Sequence, residues 1–380
     1  MKYDYIIAGS GCAGLSLLYR LLTDSELSKK NILVLDKDQK TQNDRTWCYW
    51  EKGSGLFESI VHYQWKSLEY KSEGFKQKFD LEEYSYKMVR GVDFYTHVLQ
   101  FAKKFTTVDF QYGNIKSISG TLGSASVNTD IGSFEADFVF NSTPLFHPEM
   151  NTDNSLLQHF KGWEIKTKSP VFDSKVGTLM DFTVSQEHGD TFMYVLPTSS
   201  TEALIEYTLF SPVVLEAKAY EKALKNYISD VLKIDSYEII HQEYGVIPMS
   251  LAKFEREIGP LQNVIQIGTA GGFTKASSGY TFQFIQTHTQ KIVAQLRAGK
   301  TPMVNASFRD KTFDWYDRTV LEVILSKRMT GKEIFTQIFR ESPINKVLAF
   351  LGNESTVMED IQIMRKLPLF PFLISGIKQL

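Results

Sequence analysis

Cysteine is nearly absent: Cys12 and Cys48 are the only two in 380 residues. Two thiols allow at most one pair, so neither a disulfide framework nor a thiolate metal cluster can be built. No CxxC or HExxH spacing occurs, and no metal is assigned. Charge of either sign is not in excess, since 42 Lys+Arg stand against 44 Asp+Glu. That balance excludes a generically basic nucleic-acid binder, which needs clustered positive charge for phosphates. Long apolar runs are also missing. No uninterrupted stretch approaches the roughly 18 residues of a spanning helix. The opening MKYDYIIAGSG lacks the apolar core and small-residue cleavage site of a secretory signal. The expected compartment is the reducing cytoplasm. Aromatics, by contrast, are plentiful, with 27 Phe and 18 Tyr. They suit either a large apolar cavity or an ordinary core. A chain this long usually divides into two or three domains.

The N-terminal pattern alternates strand and helix. Tyr5 to Ala8 is a short apolar run stopped by Gly9, Leu15 to Leu22 carries apolar residues at helical spacing, and Asn31 to Leu35 is a second buried run. A β-α-β unit of this length implies a parallel sheet. Further on, the pattern predicts a helix over 92–105 and a strand running into a turn over 139–144. β-rich alternation follows from about 160 to 250, then a buried strand over 263–267, then mostly helix from 305 to the end.

Gly9-Ser10-Gly11-Cys12-Ala13-Gly14 fits G-x-G-x-x-G between a strand and a helix, where its mechanism needs it. The first glycine makes the turn. The second lets the backbone approach a pyrophosphate, and the third lets helix and strand pack closely. The helix N-terminus then favours the phosphate charge. Asp36 ends the second strand and is placed for a ribose hydroxyl. A second cluster, Gly268-Thr269-Ala270-Gly271-Gly272, follows the strand 263–267. A site held early by Gly9, Gly11, Gly14 and Asp36, and late by Gly268, Gly271 and Gly272, suits FAD better than NAD. Thr269 stands where many FAD enzymes carry an Asp against the ribityl chain; its hydroxyl makes a looser match.

Several segments, in order, resemble the bacterial lycopene β-cyclases. Asp44-Arg45-Thr46-Trp47-Cys48-Tyr49-Trp50 is similar to the segment after their FAD-binding βαβ unit. Tyr194 to Pro197 with Ala203 to Thr208 is similar to the strand pair carrying their acidic motif, and Gly245 to Met249 to the strand that follows. Residues 268–282, ending KASSGYTF, are similar to their late flavin-contacting loop and helix. Residues 350–354 and 368–373 also look familial. The heptapeptide and GGFTKASSGYTF are specific, whereas many flavoproteins share the glycine loop. The resemblance implies an α/β, Rossmann-like FAD-binding flavoprotein fold with a β-rich substrate domain and a helical C-terminal region. The expected division is 1–160 as the first part of the FAD domain, 161–250 as the substrate domain, 251–300 as the second part of the FAD domain, and 301–380 as the helical region. The implied reaction is an isomerisation that closes the ψ ends of lycopene, or of a related carotenoid, into β-ionone rings. γ-Carotene forms first, then β-carotene. FAD acts in its reduced form, and NAD(P)H serves only to reduce it.

Protonating an alkene is difficult, because alkenes are very weak bases. A carboxylic acid kept neutral by burial is a suitable donor. Glu206 interrupts the apolar strand Leu204-Ile205-Glu206-Tyr207-Thr208, and period two puts Leu204, Glu206 and Thr208 on one face. On the residues alone that face suits solvent as well as a site. The family's acidic motif falls on Glu206 and implies the acid/base. Where plant members have two adjacent acids, the second position here is Tyr207. Glu202 shares the face but sits at the turn and is expected to be solvated. Arg45 is expected either at the flavin or in a surface ion pair with Asp44. Arg90, ahead of the predicted helix, is a candidate for the pyrophosphate. Cys12 reads as a space-filler in the glycine loop.

A hydrocarbon substrate dissolves only in membranes. LPLFPFLISGI, residues 367–377, is apolar but too short and too interrupted by proline to span. It suits the membrane interface or a tail packed on the core. The expected location is cytoplasmic, peripheral at a membrane lipid surface. Two other functions stay open: a flavin-dependent monooxygenase acting on an isoprenoid or aromatic substrate, and a non-catalytic carotenoid carrier. The monooxygenase reading lacks an Asp-Gly pair in 137–144, where such hydroxylases hold pyrophosphate and NAD(P)H.

Overall fold

A computed structural model describes residues 2–121, 123–258 and 261–380 of the chain. Its first sheet grows from the N-terminal apolar runs. Strand Lys2–Ala8 pairs in parallel with Ile32–Asp36 on one side and Ser133–Asn141 on the other. Val108–Tyr112 and Leu261–Gln266 extend the parallel order at the two flanks. Ile7, Ile32 and Val34 pack on helices Cys12–Thr23, Gly91–Ala102 and Phe282–Arg297, while Ile6, Leu33 and Leu35 pack beneath Ile118 and Val127 of a β hairpin. Cover on both faces is why these strands read as continuous apolar runs rather than as alternation.

The second sheet runs in the order Glu238–Ser250, Ser155–Lys166, Glu202–Ser211, Asp190–Pro197, Val176–Asp181, Ser67–Ser72 and Phe75–Asp80. Its last two strands come from within the first 160 residues, so the chain enters this sheet early and returns to it. Alternation divides its side chains cleanly. Met193, Val195, Ile205 and Tyr207 point toward helix Ala217–Asn226, whereas Phe192, Tyr194, Leu196, Leu204 and Phe210 point toward the C-terminal helices. Glu206 therefore lies on a strand covered on both faces. A third, three-stranded sheet joins Thr46–Lys52, Tyr84–Arg90 and Tyr63–Trp65.

The C-terminal region is helical because its sequence starts helices repeatedly. Ser307 with Asp310, Thr330 with Glu333 and Thr356 with Glu359 each form a reciprocal capping box. The last helix, Leu369–Lys378, does two things at once. Its Gly376 carbonyl accepts from the Trp315 indole at 2.9 Å, which docks one face, while Leu369 and Phe370 stay 69% and 74% exposed. No described helix is long and apolar enough to cross a membrane.

Candidate active site

Gly9 takes a φ of +102°, which only glycine adopts freely. At Gly14 a methyl group would run into the Gly9 carbonyl and reach Ile7 Cγ2 at 2.9 Å. This glycine is what lets helix and strand touch. Gly11 differs: its backbone is ordinary extended chain, and a Cβ there would meet nothing within 4 Å. It faces open space. The helix that follows has no side-chain cap and no acid in its first turn, so its free N–H groups can receive an anion. Asp36 Oδ2 accepts from Ser10 N at 2.6 Å and from Ser10 Oγ at 2.9 Å, which ties the second strand to the loop.

The open space is a cavity of about 440 Å³ that runs from Gly11 to the second sheet. Its aromatic walls include Trp47, Tyr86, Phe160, Tyr194, Tyr280 and Phe282. At its far end Glu206 meets a second acid, Glu243. The register explains the meeting. Gly162 of the strand Ser155–Lys166, next to the sheet's edge, pairs with Glu206 on one side and Glu243 on the other. Lacking a side chain, Gly162 leaves the two carboxyls adjoining. A Cβ there would approach Glu243 Cγ at 3.0 Å and Leu204 Cδ1 at 3.1 Å.

Burial, and then the charge of Glu243, push the Glu206 carboxyl well above the usual carboxylate range. The Thr208 hydroxyl, which donates to Glu206 Oε1 at 2.7 Å, opposes the shift. Burial also raises Glu243, to about 7, against the Thr46 hydroxyl, Glu206 and the Arg45 charge. Glu206 has no such cation beside it and keeps its proton to higher pH. Glu243 Oε2 is buried with no hydrogen-bond partner among the described residues.

The late glycine cluster closes onto the early one. Gly268 has a φ of +60° and lies so near the first helix that a Cβ would reach Ala13 Cβ at 2.6 Å. Thr269 lines the same cavity. Gly271 and Gly272 lie outside this cavity. They line an adjoining cavity of about 460 Å³, because the Gly268–Gly271 turn carries the chain away from Gly11. Lys275, buried just beyond, donates to Asp317 Oδ2 at 2.8 Å and Asn353 Oδ1 at 2.6 Å, while Ser277 Oγ reaches Asp317 Oδ1 at 2.7 Å. Asp317→Ala would strand a buried ammonium, a change commonly worth about 3–5 kcal/mol. Thermal unfolding should show that loss, and an unchanged melting temperature would refute it.

Arg45 lines the cavity and makes no ion pair with Asp44. It donates to the Asp44 and Tyr244 carbonyls at 3.4 and 3.2 Å, while the Asp44 carboxylate takes the Tyr95 hydroxyl at 2.8 Å. Arg90, the candidate for the pyrophosphate, is engaged by a neighbouring acid. Asp93, three residues on, holds its guanidinium through two bonds of 2.7 and 3.1 Å, and Arg90 does not line the cavity. Glu202 pairs with Lys166 Nζ at 2.6 Å, away from the cavity. Burial drives the Cys12 thiol up to about 12, which makes it inert as a nucleophile. The sequence reading missed Glu243, Gly162 and the Tyr86–Tyr194–Tyr280 phenol cluster. The signal was faint: Glu243 sits in His241-Gln242-Glu243-Tyr244, polar enough to pass for an exposed edge.

Residues 4–375 match the family model described as lycopene cyclase protein. A lycopene beta-cyclase from a Paracoccus species is 24% identical over 227 residues, 56% of this chain and 57% of that protein. The alignment thus spans little more than half of the relative's length. Among solved structures, HpxO of Klebsiella pneumoniae complexed with FAD and uric acid superposes with a TM-score of 0.67 at 13% identity, over 93% of this chain and 96% of that one. A geranylgeranyl bacteriochlorophyll reductase-like protein from Thermoplasma acidophilum gives 0.62 at 12% identity, over 100% and 99%. A flavoprotein/dehydrogenase from Cytophaga hutchinsonii gives 0.63 at 14% identity, over 93% of each. At such identities the likeness establishes the fold, that of the FAD-binding flavoproteins.

Proposed function

The chain belongs to the lycopene cyclase family, and from that premise we propose that it closes the ψ ends of lycopene into β-ionone rings by acid catalysis, without net redox change. One observation carries the reading: Glu206, whose hold on its proton is strengthened by burial, stands in an aromatic-walled cavity continuous with the glycine loop. Glu206 would donate its proton to the terminal alkene. Trp47, Phe160 and the tyrosines would stabilise the cation through their π faces and exclude the water that captures cations.

FAD is the proposed cofactor. Gly9, Gly11, Gly14 and the uncapped helix start would hold its phosphates, Asp36 its ribose, and Gly268 with Thr269 its ribityl chain. The residues fit such a group. Gly11 opens on space, and Gln158 Oε1 and Ser278 Oγ are buried along the cavity without partners among the described residues. Bound in its reduced form, FAD would supply an electron-rich ring that stabilises nearby positive charge, and NAD(P)H would serve only to reduce it.

Expression in a lycopene-accumulating bacterium with pigment analysis tests the reading. Unchanged lycopene beside folded, flavin-loaded protein would sink it. Anaerobic turnover with chemically reduced flavin separates it from a flavin-dependent monooxygenase, which needs oxygen.

A hydrocarbon substrate also calls for a membrane surface, and the exposed face of helix Leu369–Lys378 is the proposed contact. Fully burying a Leu or Phe is worth about 1.5–3 kcal/mol. Replacing Leu369 and Phe370 together with serine should therefore weaken liposome binding by about a hundredfold, with activity in detergent micelles preserved. Unchanged co-sedimentation with liposomes would exclude this face.

A further inference from the structure

Ring closure needs a base as well as an acid, and no family motif quoted above supplies one. We propose that Glu243 is that base, acting as a catalytic residue opposite Glu206; the assignment rests on the cyclase reading. The carbon that gains a proton and the carbon that loses one belong to the same six-membered ring, so acid and base must converge within a ring's width. Two carboxyls adjoining across the bare backbone of Gly162 meet that need. Both line the cavity, and Glu243 Oε2 is buried there without a partner among the described residues.

The steps balance. The Glu206 O–H bond breaks, and its proton bonds to the terminal alkene, leaving a tertiary cation. The second alkene closes on that cation, forming the ring C–C bond and moving the charge to another tertiary carbon. Glu243 carboxylate then takes the neighbouring ring proton, and the C–H electron pair becomes the ring double bond. Glu206 is now the carboxylate and Glu243 the acid. One proton passed between them across Gly162 restores the start, with no oxidant or reductant consumed. The charged and titratable groups that interact with Glu243 are Arg45, Glu164, Glu206 and Cys48, while Lys40, Asp44 and the three tyrosines line the same cavity. Of the interacting groups only Arg45 is a cation, and it favours the carboxylate form that a base requires.

The test uses purified, flavin-loaded wild type, Glu243→Gln and Glu243→Asp, given lycopene in liposomes made up in deuterium oxide. Glu243→Gln should still place deuterium on the protonated carbon. Its β-ring product should fall by about a hundredfold, the usual scale of a lost general base, with hydrated or differently unsaturated rings in its place. Wild type should lose activity as pH falls through about 7, and Glu243→Gln should lack that limb. β-Rings formed by Glu243→Gln at the wild-type rate would overturn the assignment. So would untouched, undeuterated lycopene, which would put Glu243 in the protonation step instead. If Glu243→Gln does not fold, Glu243→Asp decides. With lycopene deuterated at the carbon that loses its proton, its isotope effect should exceed the wild type's, and an unchanged effect overturns the base role. A wild type that leaves lycopene unchanged defeats the cyclase reading itself; a cyclising wild type matched by Glu243→Gln defeats the base alone.

Discussion

Glu206→Gln should keep the fold and the flavin while losing cyclisation by about a hundredfold to ten-thousandfold, the range of general acid catalysis. The amide keeps the shape and can still accept from Thr208, but it has no acidic proton. The same substitution should leave the protein at least as resistant to heat above neutral pH. The sign follows from linkage. A carboxyl raised in the folded state binds its proton more tightly there than in the unfolded chain. It therefore costs stability as pH rises from the unfolded carboxylate range, about 4.3, toward its folded value. Removing it removes that cost. A variant that is inactive and no less stable separates chemistry from folding. Wild-type activity should likewise fall as pH rises through the raised titration of Glu206. Glu206→Asp should also be poor, because an ångström of misplacement can cost about a hundredfold. Glu202→Gln, which breaks only the surface pair with Lys166, should be silent. Near wild-type conversion by folded, flavin-loaded Glu206→Gln would remove Glu206 from the mechanism.

Gly11→Val should abolish FAD uptake without unfolding the protein. The backbone at Gly11 suits any residue, and a Cβ there meets no protein atom within 4 Å. What it meets is the space proposed for the pyrophosphate. Gly14→Val is the contrast, since its side chain would strike the Gly9 carbonyl and Ile7 and should cost folding itself. Absorbance of retained flavin and the melting temperature read the two effects apart. Full flavin loading of Gly11→Val would move the phosphates elsewhere.

The parts legible in the sequence were those whose physics is local. A glycine loop between a strand and a helix, and an acid inside an apolar strand, can be read in a window of ten residues. The capped C-terminal helices can too, because each capping box lies within four positions. Glu243 could not be read that way. Its strand is the edge of the second sheet, and its burial depends on the segment carrying Arg45 and Thr46, some two hundred positions earlier. Gly162 was invisible for the same reason: its meaning lies in its two cross-strand neighbours. Arg90 shows the opposite case, where a carboxylate one helical turn along already holds the charge.

The first sheet is finished by a strand, Leu261–Gln266, that is synthesised after the whole second sheet. On the ribosome the glycine loop emerges first and waits, roughly tens of seconds at about 5–20 residues per second. Until Gly268 arrives beside Ala13, Val139 to Asn141 lack their partner strand and the cleft proposed for the cofactor lacks its far wall. If the flavin binds as proposed, its capture would wait until residue 268 has been made. Flavin retained by a truncated or stalled product would then report that residues past 268 had been made and had docked.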